Sequence, residues 1–76
     1  MPDIEHVVLD HIQNEPALSK DSIGVEVKAG GLFHRRKTLH LYGSVHSKAE
    51  KERVERIAEK EGGDNYDIVN DITVKE

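Results

Sequence analysis

Leu41-Tyr42-Gly43-Ser44-Val45, followed by Ser47-Lys48-Ala49-Glu50 and closed by Ile68-Val69-Asn70-Asp71-Ile72-Thr73-Val74, decides the fold of this chain. The first segment belongs to a strand of about Thr38 to His46. Leu39, Leu41 and Val45 fall on one face, and Thr38, His40, Tyr42 and Ser44 on the other. Gly43 sits on the apolar face, where a glycine inside a strand marks a bulge or the close approach of another backbone. Ser47 with Glu50 has the spacing of a capping box, so a helix starts there. It runs to about Glu61, with Ala49, Val54, Ile57 and Ala58 as its apolar stripe and Gly62-Gly63 as its stop. Lys51/Glu55 and Glu52/Arg56 are spaced for weak surface pairs. The closing segment is a strand of about Tyr66 to Lys75, in which Ile68, Ile72 and Val74 share a face with Asn70.

Upstream, Asp3 caps a first helix that Pro16 stops by about Glu15. Ile4, Val8 and Ile12 recur every fourth residue, flanked by Val7 and Leu9, as a one-sided stripe. Ala17 to Ser22 reads as a short polar connection. Ile23, Val25 and Val27 alternate with Gly24, Glu26 and Lys28 as a half-buried strand. Gly30-Gly31 breaks it, and the connection to Lys37 is a loop or an extended hairpin tip. The order is therefore helix, strand, strand, helix, strand, which predicts an α+β two-layer sandwich. The first two strands pair antiparallel. The helix between the second and third makes those two parallel. The three-stranded mixed sheet then carries both helices on one face. Glu26, His40, Tyr42, Val69, Asp71 and Thr73 lie on the open face. With no repeat and no linker, residues 1–76 read as a single domain.

The 76 residues allow one modest core. There is no cysteine, so neither a disulfide nor a thiolate metal site is possible. The chain shows no leader pattern and no apolar run of the ~18 residues that span a bilayer, so a cytoplasmic location is expected. Net charge is −4. It is unevenly spread: residues 1–27 hold one lysine and six acids, 28–56 eight bases and three acids, and 57–76 two bases and six acids. The basic middle attracts anions locally, but the acidic whole argues against nucleic acid as a partner.

The element order, with Val25-x-Val27, Leu39-x-Leu41-x-Gly43-x-Val45, a capped helix and Ile68-x-Asn70-x-Ile72-x-Val74, resembles a BON domain. That small module occurs in bacterial osmotic-shock-induced and nodulation-related proteins. The resemblance covers about Ile4 to Val74. It implies a non-enzymatic module that attaches proteins to phospholipid surfaces or mediates ligand and protein contacts.

Two candidate sites follow. The connection Leu32-Phe33-His34-Arg35-Arg36-Lys37 holds the densest basic cluster. Phe33 inserting into an anionic lipid surface, with His34, Arg35, Arg36 and Lys37 on the headgroups, is one reading. Each cation contributes ~1 kcal/mol near such a surface. The other reading folds Leu32 and Phe33 back onto the core and leaves the cations solvated. The second site is the open sheet face, with His40, Tyr42 and Val69 as a protein-contact or self-assembly surface, helped by a free strand edge. His6 and His11, five residues apart, do not share a helix face as a metal pair. His40 with Glu26 or Asp71 depends on register. No metal or cofactor is expected. Asn70 on an apolar face must find partners or cost roughly 1–3 kcal/mol, and backbone near Gly43 or a helix end is the expected partner. Catalysis is not expected. No serine sits in a nucleophile elbow, Ser47 is used as a cap, and Gly30-Gly31 lacks the spacing of a phosphate loop.

Overall fold

The computed structural model describes residues 3–18, 22–29 and 36–75. Helix α1, Ile4–Gln13, starts at Asp3, whose carboxylate accepts the His6 N–H at 3.0 Å. Strand β1 is Ser22–Lys28 and β2 is Lys37–Val45. Helix α2 is Lys48–Gly62, followed by β3, Tyr66–Asn70, and β4, Thr73–Val74. β1 pairs antiparallel with β2, while β3 and β4 both pair parallel with β2. The protein is thus α+β, with two helices on a mixed open sheet in which β2 is central.

Alternation on β2 buries Leu39, Leu41 and Val45 at no more than 1 % exposure. They meet Val8 and Ile12 from α1, Val54, Ile57 and Ala58 from α2, Val25 from β1 and Ile72 in one core. Burying each branched aliphatic side chain contributes about 1.5–3 kcal/mol. Both helices cover the same sheet face.

Three local features depart from the sequence reading. Pro16–Leu18 forms a 3₁₀ turn rather than a polar connection, and its Leu18 is buried at 1 % exposure. A lone leucine after Pro16-Ala17 has no period to betray it. Ala49 is exposed, because the α2 stripe begins a turn later at Val54. Ser47 Oγ accepts the Glu50 N–H as expected of a cap, and the Glu50 carboxylate takes the N–H of His46, one residue before the cap. Lys37 belongs to β2, paired in register with Tyr66, not to the loop.

The last strand is split, giving four strands rather than three. Asn70 explains the split. Its Oδ1 accepts the Ile72 N–H at 3.1 Å, while its Nδ2 donates to the Lys51 carbonyl in α2 at 3.2 Å and to Glu55 Oε1 at 3.3 Å. Of the two expected partners, backbone near Gly43 or at a helix end, the second is met, by the Lys51 carbonyl in the first turn of α2; the others are Glu55 and the Ile72 N–H in the break. Glu55 is engaged by Asn70 instead of pairing with Lys51. Register is kept across the break, since Asp71 N–H reaches the Leu41 carbonyl and Lys75 N–H the Val45 carbonyl, each at 2.8 Å.

Gly43 has φ +115°, and a side chain there would run into the Ser22 carbonyl of β1. The close backbone approach expected at this glycine is therefore present. Gly63, which ends α2, also has positive φ (+59°), but nothing lies within 4 Å of the place its Cβ would occupy.

Three outcomes follow from these contacts. Gly43→Ala adds steric conflict to a backbone strain of about 1–3 kcal/mol. In urea denaturation it lowers stability more than Gly63→Ala does. Asn70→Ala, which strips α2 and Ile72 of a shared partner, lowers stability by about 1–3 kcal/mol in the same assay. The His6 backbone N–H, then the His6 side chain, hold the Asp3 carboxyl below its ordinary value. A lowered folded-state pKa contributes stability above the ordinary carboxyl range that disappears as pH falls through the lowered value. Asp3→Asn keeps a capping oxygen, so its urea midpoint lacks that acid-side component.

Candidate functional site

The open face of the sheet is built in rows by strand register. Lys28, Thr38 and Asp67 form one row, and Glu26, His40 and Val69 the next. Gly24 and Tyr42 form a third, and Ser22, Ser44 and Thr73 a fourth. Every second residue of each strand points away from the helices, so these side chains share one surface.

Tyr42 and Val69 are the exposed large hydrophobics among the described residues, at 45 % and 42 %. The Tyr42 ring does not stand free. It lies across β1 at Gly24, where any Cβ would collide with the ring. His40 stacks against it, with ring centroids 5.8 Å apart and planes 27° from parallel. His40 Nε2 meets Asp71 Oδ2 at 2.5 Å. An ionised carboxylate can only accept, so this contact sets Nε2 as the donating nitrogen. Nδ1 is buried against the sheet without a partner. Val69, His40 and Tyr42 therefore make a strip crossing β3, β2 and β1. Glu26, Asp67 and Asp71 border it, with Lys28 at one corner.

The basic site divides differently. Phe33, His34 and Arg35 lie outside the described residues. Arg36 is tied to the start of β3: its guanidinium donates to the Asp64 carbonyl and its Nε lies 3.8 Å from Asp67 Oδ1. Lys37 is exposed at the first position of β2. The fold thus brings His40, Tyr42 and Val69 together, but it spends Arg36 on the protein itself.

Asp67 is a member of the open face that sequence reasoning missed; Gly24 was set on that side of the strand, but not its place under Tyr42. Asp67 shares the parity of Val69 and Asp71, which was a usable signal. Gly24 as the floor under Tyr42 was legible only once β1 and β2 were in register.

On the helical side, His6 binds Asp3 at 2.7 Å and His11 binds Glu61 at 3.0 Å, the latter joining α1 to α2. A shallow groove along α1 lies beside that pair. Among the described residues no group of three or more His, Cys, Asp or Glu is arranged to hold a metal ion. No described helix is long and apolar enough to cross a membrane.

A family model described as the BON domain matches residues 2–76. The chain belongs to the BON domain family. The family is one of non-catalytic binding modules. A search of curated proteins and one of solved structures each returned no match.

The Tyr42 shelf makes a direct prediction for this BON domain. Gly24→Ala lifts the ring off β1 while leaving the strand paired. Nuclear Overhauser contacts between the Tyr42 ring and both residue 24 and His40 weaken, whereas those of Tyr66, on the other side of the sheet, persist.

Proposed function

We propose that this BON domain is a protein-binding module whose contact surface is the open sheet face. The partner presents an apolar side chain flanked by lysine or arginine. The observation that carries this reading is the strip Val69–His40–Tyr42, with Val69 and Tyr42 exposed, His40 half-buried between them, the Tyr42 ring seated on Gly24, and Glu26, Asp67 and Asp71 at its border. Aromatic side chains fixed before binding supply contact area with little ordering cost. The acidic border favours a basic partner and disfavours an acidic one.

The family's association with phospholipid surfaces points to another partner, met through Phe33, His34, Arg35, Arg36 and Lys37. Of these, Arg36 already has carboxylate and carbonyl partners that an anionic surface would have to displace. On the open face Asp67 and Asp71 are likewise met, by Arg36 and His40, but Tyr42 and Val69 stay exposed for an apolar contact, and that favours this face.

The test uses the isotope-labelled chain and peptides selected on it from a random displayed library. The expected peptides share an aromatic or aliphatic residue beside lysine or arginine. They shift resonances of His40, Tyr42 and Val69, and they lose binding to Tyr42→Glu and to Val69→Glu. Vesicles containing phosphatidylglycerol form the opposing arm. Salt-sensitive co-sedimentation abolished by Arg35→Glu plus Arg36→Glu and untouched by Tyr42→Glu, with no peptide perturbing the sheet face, overturns the proposal in favour of the lipid surface.

A further inference from the structure

The two edges of the sheet are finished differently. The β3–β4 edge is short and broken, and it carries exposed Asp67 and Asp71. Alternation from the Asp71 and Lys75 bonds to β2 turns the Ile72 N–H toward the outside, and Asn70 Oδ1 occupies it. These are devices that protect an edge from added strands. β1 has none of them among the described residues. It is seven residues long, continuous, without proline, and paired among the described residues with β2 alone.

Which β1 groups face outward follows from the same bonds. The Leu41 and Val45 carbonyls point to β3 and β4. His40 and Tyr42 must then direct their backbone groups to β1, where they oppose Glu26 and Gly24. The N–H and C=O groups of Ile23, Val25 and Val27 are left for the free edge. Their side chains point to the core, where Val25 is buried and Ile23 and Val27 are partly covered.

We propose that the β1 edge takes a second copy of this chain, β1 against β1 antiparallel, with the two-fold axis at Val25. Val25 then exchanges backbone bonds with its own counterpart, and Ile23 with Val27 of the second copy and the reverse. All three outward residues are satisfied in each chain. Their side chains continue the two cores across the seam.

The open face selects this register over its neighbours. Placing the axis at Gly24 sets the two glycines opposite each other and drives the two overlying Tyr42 rings together. Placing it at Glu26 sets two carboxylates directly opposite, which is destabilising. With the axis at Val25, Glu26 faces Gly24 of the second copy. Its carboxylate comes beside the Tyr42 hydroxyl, which lies over that glycine. Lys28 faces Ser22. No like charges are opposed, and the sheet runs unbroken through both copies with all four helices on one side.

The experiment uses the full chain. Sedimentation velocity across a concentration series is expected to show a monomer–dimer equilibrium. Hydrogen exchange of the unaltered chain is expected to slow at Ile23, Val25 and Val27 as concentration rises, while Ile72 is unaffected. The chain has no cysteine, so register can be read by cross-linking. Ser22→Cys mixed with Lys28→Cys forms a disulfide between copies, because opposed residues of this kind lie about 4.5 Å apart at Cα. Each variant alone does not, since like positions lie about 20 Å apart along the seam at ~3.3 Å per residue. A monomer at every concentration with fast exchange at the three β1 amides overturns the proposal. So does a dimer in which either single variant links to itself. Peptide binding at Tyr42 and Val69 is measured separately, so either reading can fail while the other stands.

Discussion

β2 must hydrogen-bond along both edges while presenting an apolar row to one side and a polar row to the other. The rest of the molecule depends on that constraint. Its Leu39, Leu41 and Val45 are the floor on which both helices sit. Its Thr38, His40, Tyr42 and Ser44 form the spine of the open face. Because β1 approaches antiparallel and β3 parallel, neighbouring strands present their residues to β2 in different patterns. Gly43 is where the approach of β1 is tightest, its positive φ and missing side chain admitting the Ser22 carbonyl. A one-residue slip of β2 would exchange floor and spine, so this strand fixes register for the whole sheet.

Charge that is clustered along the sequence is dispersed by the fold. The basic run ending at Lys37 looks like one patch, yet Arg36 is drawn to Asp64 and Asp67 on the far side of α2 in sequence. Arg53, also from the basic third, meets Glu15 near the end of α1. Acids do the reverse. Glu26 from β1 joins Asp67 and Asp71 from the C-terminal segment around one apolar strip. The polarity of the open face is therefore a product of register, not of local composition.

This explains what could be read beforehand. Element order, both helix caps, the stops at Pro16 and Gly62-Gly63 and the parallel or antiparallel sense of each pairing follow from periodicity and turn chemistry, which are local. The meaning of Gly43 was legible because a glycine on an apolar strand face has few other uses. Leu18 was not, since a single leucine in a turn has no neighbours at helical or strand spacing. The split at Asp71-Ile72 was not, because it results from Asn70 reaching Lys51 in α2 and Ile72 along its own strand. Within the candidate face, the strip of His40, Tyr42 and Val69 followed from parity alone. The shelf at Gly24 and the Asp71 contact to His40 required register.

The triple engagement of Asn70 also links parts of the chain that close separately. Antiparallel β1 and β2 are joined through residues 29–36, whereas β2 reaches β3 only after residues 46–65 have folded back. Chain entropy alone separates these closures by no more than about 1 kcal/mol, since each doubling of a loop costs about 0.6 kcal/mol. What sets the second closure apart is its link to α2, since Asn70 meets the Lys51 carbonyl in the first turn of that helix. Asn70 thus couples the last strand to α2 in the folded chain, so displacing either element costs the other a hydrogen-bond partner.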